Sequence, residues 1–209
     1  MNFYTDGLAP EQIQVLQKVA PFAAARQYYL GGGTALAIFL HHRRSLDLDW
    51  FTPETFPDPM AFAQALRDAG IPFETDQTAP GTLHGRVEGV RVSFLEFRYP
   101  LLSPLVRWQE TGASLASLDD LACMKLSAIA QRGSKKDFYD VYALCRAHLP
   151  LERMLALYQR KFSVADIGPV LYGLVYFDDA EEERDPLLLQ EMQWSQVKQA
   201  FRDWVKAIR

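Results

Sequence analysis

Leu30-Gly31-Gly32-Gly33-Thr34-Ala35-Leu36 and, a short helix later, Ser45-Leu46-Asp47-Leu48-Asp49-Trp50-Phe51 decide how this chain is read. Tyr28-Tyr29-Leu30 has the residue types of a short strand, and the glycines break it. Thr34 to His41 then reads as a buried helix through Ala35-Leu36-Ala37-Ile38-Phe39-Leu40, and Arg43-Arg44-Ser45 as a turn. From Leu46 to Phe51 apolar and acidic residues alternate with the period of a strand. The unit is therefore strand, glycine turn, helix, strand. On a regular strand Asp47 and Asp49 face one way, while Leu46, Leu48 and Trp50 face the other and can anchor it in a core.

That arrangement has chemical consequences. Residues i and i+2 of a strand stand roughly 6.5–7 Å apart at Cα, so two carboxylates there can converge on hard cations. Mg²⁺, or Mn²⁺ in its place, takes oxygen ligands and commonly combines one or two carboxylates with substrate phosphates. A pair of such ions can clamp the attacking and leaving oxygens of an in-line displacement. Gly32 and Gly33 lack Cβ atoms, so the chain can bend there and approach a ligand closely. A glycine-rich turn that opens a helix also presents N–H groups to phosphate, and the Thr34 hydroxyl can add a donor. Three glycines alone are a turn, and Asp-x-Asp alone is often a solvated strand face. Their succession in this order is what points to a phosphate and metal site.

Working outward, Pro10 can open a helix that carries Ile13, Leu16, Val19 and Ala23 on one face. Phe62, Ala65, Leu66 and Ala69 predict another, stopped by Gly70. Two or three strands are expected between Phe73 and Phe97, with Glu88-Gly89 in a turn, followed by a connection through Pro100 and Pro104. From Ser117 the chain reads as helical. Ser117 with Asp120, and Ser134 with Asp137, have capping-box spacing, and Gly133 separates the two helices. Further helices are expected at about 151–162 and 164–177, then an acidic loop from Asp178 to Glu183 and a last helix opened by Ser195. The predicted class is α+β, a mixed sheet with flanking helices. It divides into an α/β lobe over residues 1–115 and a helical lobe over 116–209 that completes a cleft.

The 209 residues, 49% of them hydrophobic and 23% charged, are those of a folded chain rather than a disordered one. A net charge of −4 excludes a global basic footprint for duplex DNA, so any nucleic-acid contact would be local, with Arg43-Arg44 as one patch. No run is long enough to span a membrane, and the first residues lack a signal-peptide pattern. Cys123 and Cys145 have no metal-type spacing and read as buried free thiols of a cytoplasmic protein. His41, His42, His84 and His148 form no metal-like cluster and read as structural or surface residues.

Lys125 falls at helical spacing with Leu118, Leu121, Ala122 and Ile129, which puts it on or beside an apolar face. Its stem can snorkel to water, or its ammonium can serve as a phosphate-binding cation in a cleft. Asp137 can be a capping acid and nothing more, and Asp140, one turn on, reads as structural.

Leu30 to Leu36 with His42 to Phe51 resembles the first motif of the AbiEii/AbiGii toxin family, within the nucleotidyltransferase-fold superfamily. Asp120 to Leu126 and Arg132-Gly133-Ser134-Lys135-Lys136-Asp137-Phe138-Tyr139-Asp140-Val141-Tyr142 are similar to its later motifs. The resemblance implies a metal-dependent nucleotidyltransferase that moves an NMP from an NTP to an RNA or protein acceptor. It implies the toxin of a bacterial toxin–antitoxin or phage-defence pair, with a cognate antitoxin as partner and no membrane. Asp47 and Asp49 would hold the metal, and Gly32, Gly33, Thr34, Arg43, Ser45 and Lys125 would bind or orient nucleotide. The matching lysine and acid make Lys125 and Asp137 catalytic candidates. One departure stands out: many such folds supply a third carboxylate from a later strand, and Ser93 stands where it is expected in Val90 to Phe97. Either two carboxylates suffice, or Glu96 or Asp137 completes the site, or the protein binds NTP without efficient transfer and acts through a protein partner. A purely structural interaction module is the remaining alternative.

Overall fold

The computed structural model describes residues 3–208. In chain order they form α1 (Pro10–Ala24), β1 (Tyr29–Leu30), α2 (Gly32–Leu40), β2 (Leu48–Thr52), α3 (Pro59–Asp68), β3 (Phe73–Ala79), β4 (Thr82–Val87) and β5 (Val90–Glu96). Then follow β6 (Val106–Trp108), β7 (Ala113–Leu115), α4 (Leu118–Arg132), α5 (Lys135–Ala147), α6 (Leu151–Phe162), α7 (Gly168–Gly173), α8 (Asp178–Glu181) and α9 (Trp194–Ile208). The strands make one mixed sheet in the order β3-β4-β5-β2-β1-β7-β6. β2 runs parallel to β5 and antiparallel to β1, while β1 runs parallel to β7.

Alternation explains which way the central strands turn. Leu48, Trp50 and Thr52 of β2 and Val90, Val92 and Phe94 of β5 are buried. Apart from Thr52, they join Val15, Leu16 and Val19 of α1 and Leu66 of α3 in the main core. Phe62 lies edge-on to Phe94 at 4.8 Å and Phe56 at 5.0 Å, so an aromatic cluster fills the layer under β5. The intervening residues Asp49, Phe51, Arg91 and Leu95 turn to the opposite face and line an open cleft. α2 packs against β2, α4 and α5 on that side.

Several expectations are revised. α2 begins at Gly32 rather than Thr34. β2 begins at Leu48, and Leu46 is 61% exposed instead of anchoring the strand. The Pro-containing connection holds the short strands β6 and β7. α7 covers only Gly168–Gly173 of the longer helix expected, and the acidic segment is partly helical as α8. Cys123 is buried, but Cys145 is only partly so.

Ser117 Oγ accepts from the Asp120 backbone N–H at 3.1 Å and donates to Asp120 Oδ2 at 2.6 Å. Asp120 also pairs with the fully buried Lys161 of α6 at 2.7 Å, which ties α4 to α6. Ser134 makes no side-chain cap; its hydroxyl donates to Glu183. Asp137 is drawn away from the helix end by stronger, charged donors.

Candidate functional site

The cleft, of about 660 Å³, lies between the open face of the sheet and α4. Its lining brings together Gly32, Gly33, Arg43, Ser45, Asp47, Asp49 and Lys125, which are 93 positions apart at the extremes. Gly32 has φ +62°, a left-handed conformation in which a side chain would be strained. It also carries the backbone so close to β2 that a Cβ would stand 2.8 Å from Asp49 Oδ2. At Gly33 a Cβ would stand 2.3 Å from Arg43 Nη2. The glycines therefore let the first turn of α2 lie directly against the carboxylate and the guanidinium.

Thr34 has a different task from the one expected. It is buried, its hydroxyl donates to the Asp47 carbonyl, and the Ser45 hydroxyl lies 2.8 Å away. A threonine has one hydroxyl proton, so Ser45 supplies the second bond. This pair pins the backbone that delivers Asp47; the Thr34 side chain is not presented to the cleft. Gln12 of α1 holds the same loop by donating to the Ser45 carbonyl at 2.9 Å.

Arg43 is not a surface patch. It is buried and forks onto Asp140, with Nε 2.6 Å from Oδ1 and Nη2 2.8 Å from Oδ2. His42 Nε2 meets the same Oδ1 at 2.7 Å, and Lys125 Nζ meets Oδ2 at 2.7 Å. Lys125 also donates to Asp137 Oδ1 at 2.7 Å, and Arg132 Nε to Asp137 Oδ2 at 2.8 Å. Burial opposes ionisation of Asp140, but Arg43 and Lys125 overcome it and hold the carboxyl well below its usual range. Burial likewise opposes ionisation of Asp137, and Lys125 and Arg132 bring it down. Against its own burial, Lys125 is held above the ordinary lysine value by Asp140 and Asp137. Asp137, Asp140, Arg43, Lys125 and Arg132 are all charged near neutral pH. The expected ammonium on the cleft wall is present, already shared between two carboxylates.

Asp47 and Asp49 have no comparable supply of cations. Burial raises Asp49 above its ordinary value and the charge of Asp47 adds to it, offset in part by a Ser93 hydrogen bond, Lys125 and Lys136. Asp47 Oδ1 lies 2.8 Å from the exposed Arg91 Nε, yet it is buried and accepts no hydrogen bond of acceptable geometry. Two crowded carboxylates, one with an orphaned oxygen, are the hard-oxygen donor set that a divalent cation suits. No group of three or more such side chains converges among the described residues, so the candidate donors are these two.

The third carboxylate is accounted for. Ser93 is the register partner of Asp49 across β2 and β5. Glu96 turns away and accepts from the Phe56 N–H at 2.8 Å, so it does not complete the site. Asp137 is covered by Lys125 and Arg132. His84, read from sequence as an ordinary histidine, lines the cleft and lies 3.0 Å from Ser93 Oγ through Nδ1. Arg91, Lys136 and Asp185 also line it and were not singled out.

The sequence profile described as "Nucleotidyl transferase AbiEii toxin, Type IV TA system" matches residues 14–207. An uncharacterized protein of Aquifex aeolicus (strain VF5) is 38% identical over 201 residues, covering 95% of this chain and 96% of that one. Among solved structures, MenT4, a nucleotidyltransferase toxin of Mycobacterium tuberculosis H37Rv, is similar with TM-score 0.61 at 14% identity, over 94% of this chain and 82% of that one. JHP933 of Helicobacter pylori is similar with TM-score 0.57 at 18% identity, over 95% and 89%. The structural likenesses show the fold, and the profile spans nearly the whole chain. This chain belongs to the AbiEii family of nucleotidyl transferase toxins of type IV toxin–antitoxin systems.

Proposed function

We propose that the protein moves an NMP from an NTP to an RNA or protein acceptor in a metal-dependent reaction in this cleft, as the toxin partner of a cognate antitoxin. One observation carries the reading: Asp49 lies so near the Gly32 turn that a Cβ at Gly32 would stand 2.8 Å from its Oδ2, beside an Asp47 with an unsatisfied oxygen. Asp47 and Asp49 would hold Mg²⁺ or Mn²⁺, which supplies charge neutralisation at the phosphates and orientation of the reacting oxygens. The N–H groups at the start of α2 face phosphate with the helix dipole behind them. Lys136 and Arg44, exposed at the rim, screen further phosphate charge. Arg43 and Lys125, fixed by Asp140 and Asp137, set the shape of the wall. Catalysis of this kind rests mainly on positioning and electrostatics. No described helix is long and apolar enough to cross a membrane; a cytoplasmic site of action belongs to the same proposal.

The test is incubation with each labelled NTP, Mg²⁺ and total cellular RNA and protein, followed by a search for labelled macromolecules. Label transfer that is lost on chelation and in Asp49→Asn is the expected result. Ser93 in place of an acid favours a second reading, NTP binding without efficient transfer. Metal-dependent NTP binding with no labelled product would support that one.

A further inference from the structure

We propose that the apolar slot formed by Phe51, Leu95, Phe97 and Met124 at one end of the cleft holds the nucleobase of the NTP. The inference rests on the nucleotidyl transfer proposed above and concerns the half of the substrate that carries no charge. All four side chains are partly exposed, and all four line the same cleft as Asp49. The paired strands set their order. β2 runs parallel to β5, with Asp49 opposite Ser93 and Phe51 opposite Leu95. On the cleft face the two strands therefore present Asp47 with Arg91, then Asp49 with Ser93, then Phe51 with Leu95, and Phe97 follows just beyond β5.

The glycine turn repeats that order. A Cβ at Gly31 would stand 2.7 Å from the Phe51 ring and 3.3 Å from Met124 Cε, one at Gly32 2.8 Å from Asp49 Oδ2, and one at Gly33 2.3 Å from Arg43 Nη2. Two separate segments thus lay out one gradient, from apolar through acidic to cationic. A metal-bound NTP has the same polarity: an uncharged base, the α-phosphate, then the β- and γ-phosphates. The polyphosphate tail belongs with the first N–H groups of α2 and the exposed Arg44, beside Gly33. The nucleoside is then left to lie the other way. Phe51 is two residues from Asp49 on the same strand face, roughly 6.5–7 Å at Cα, a step that one ribose can bridge.

The slot also has the shape and chemistry for a flat heterocycle. Phe51 and Phe97 meet at 73° with ring centroids 5.8 Å apart, so a base stacked on one ring meets the edge of the other. Opposite them α4 presents Met124, Ser127, Ala128 and Gln131 to the cleft at helical spacing. The Met124 thioether is a polarisable, adaptable cover for an aromatic ring. None of these side chains is charged, so the slot offers a phosphodiester backbone no partner, whereas it offers a base both apolar area and aromatic faces.

Two measurements test this on the full chain. Equilibrium titrations compare each of the four Mg²⁺–NTPs with Mg²⁺–tripolyphosphate, which has the phosphates and no nucleoside. At least one NTP should bind more tightly than tripolyphosphate. Phe97→Ala should weaken that NTP by roughly 5–150-fold, and Leu95→Ser should weaken it in the same direction, with tripolyphosphate affinity unchanged in both. In wild-type protein carrying ¹³C-methyl methionine, the Met124 methyl signal, assigned with Met124→Leu, should shift on adding that NTP through the ring current of the base and stay in place on adding tripolyphosphate. Equal affinity for every NTP and tripolyphosphate, or a Met124 signal that responds alike to both, overturns the slot and leaves nucleotidyl transfer standing. Unchanged NTP affinity in folded Phe97→Ala and Leu95→Ser also overturns it, and a raised KM for the acceptor in those variants would give the slot to the acceptor. Absence of binding by every NTP and by tripolyphosphate overturns both readings.

Discussion

Replacing Asp140 with asparagine keeps the side-chain shape and removes the charge on which the cleft wall is built. Asp140 is fully buried and receives Arg43 on both oxygens, His42 on Oδ1 and Lys125 on Oδ2. In Asp140→Asn the buried Arg43 loses the one carboxylate it is hydrogen-bonded to and Lys125 keeps only Asp137 as a directly paired anion, and the new amide N–H₂ points a donor at donors. Removing one partner of a buried ion pair typically costs about 3–5 kcal/mol, because the remaining charge stays desolvated. For a chain of this length, each kcal/mol lowers Tm by roughly 2–4 °C, so the expected loss is roughly 6–20 °C. The assay is thermal unfolding followed by circular dichroism at neutral pH. The double variant Asp140→Asn with Arg43→Met removes the stranded cation and should recover part of the loss. A fall of less than about 3 °C in Asp140→Asn, or no recovery in the double variant, refutes the claim that these charges are mutually dependent.

The same cluster sets a pH window. Asp140 and Asp137 are depressed in the folded state, so their stabilisation is present above the ordinary aspartate value of about 3.9 and is lost as pH falls through their folded values. Lys125 is raised, so its share is complete below the ordinary lysine value of about 10.4 and is lost as pH rises through its folded value. The contribution of these three groups should therefore be flat between these limits and lost below about pH 4, so the acid fall in Tm should be smaller in Asp140→Asn than in the wild type. Gly33→Ala should lose about 1–3 kcal/mol by overpacking, read from the denaturant midpoint, since the new methyl meets a guanidinium that Asp140 holds in place. Asp49→Asn should melt no lower than wild type without metal, because it relieves the repulsion with Asp47, yet it should abolish Mg²⁺-dependent transfer. Unfolding of Asp49→Asn would mark a structural aspartate instead.

The residues from Leu30 to Phe51 were legible because hydrophobic period, glycine placement and chain order all agree there. The strand boundary slipped by two residues because Leu46 lies in a loop held by Thr34, Ser45 and Gln12, contacts that alternation does not record. β6 and β7 are three residues each, too short for alternation to show. Asp137 and Asp140, three apart on α5, are readable as neighbours on one helix face. Their partners Arg43 and Lys125 are 97 and 12 or 15 positions away, and no local signal links them. His84 had a signal that went unused. Glu88 and Gly89, both at positive φ, make a two-residue hairpin turn, and that turn sets β4 against β5 so that His84 must face Ser93.

The charges on the cleft wall divide into two groups with different work. Arg43, which lies against Gly33, and Lys125 on the cleft wall are each held by carboxylates at 2.6–2.8 Å. Releasing Lys125 to a phosphate would leave Asp137 with Arg132 and Asp140 with Arg43 and His42, and releasing Arg43 would leave Asp140 with Lys125 and His42, so either move weakens the buried network. Their work is to join α5 to the loop that carries Asp47, through His42 and Arg43 on one carboxylate. Arg44 and Lys136 are exposed on the same cleft and can turn to a polyanion without leaving a buried charge behind, and Arg91 is exposed there too. Arg91 already pairs with Asp47. On the proposed function, a cation bound at Asp47 frees Arg91 for phosphate, so metal and nucleotide binding reinforce each other at that residue. Arg91→Met should then tighten metal binding in the absence of NTP, by removing a competitor, and weaken NTP binding in its presence.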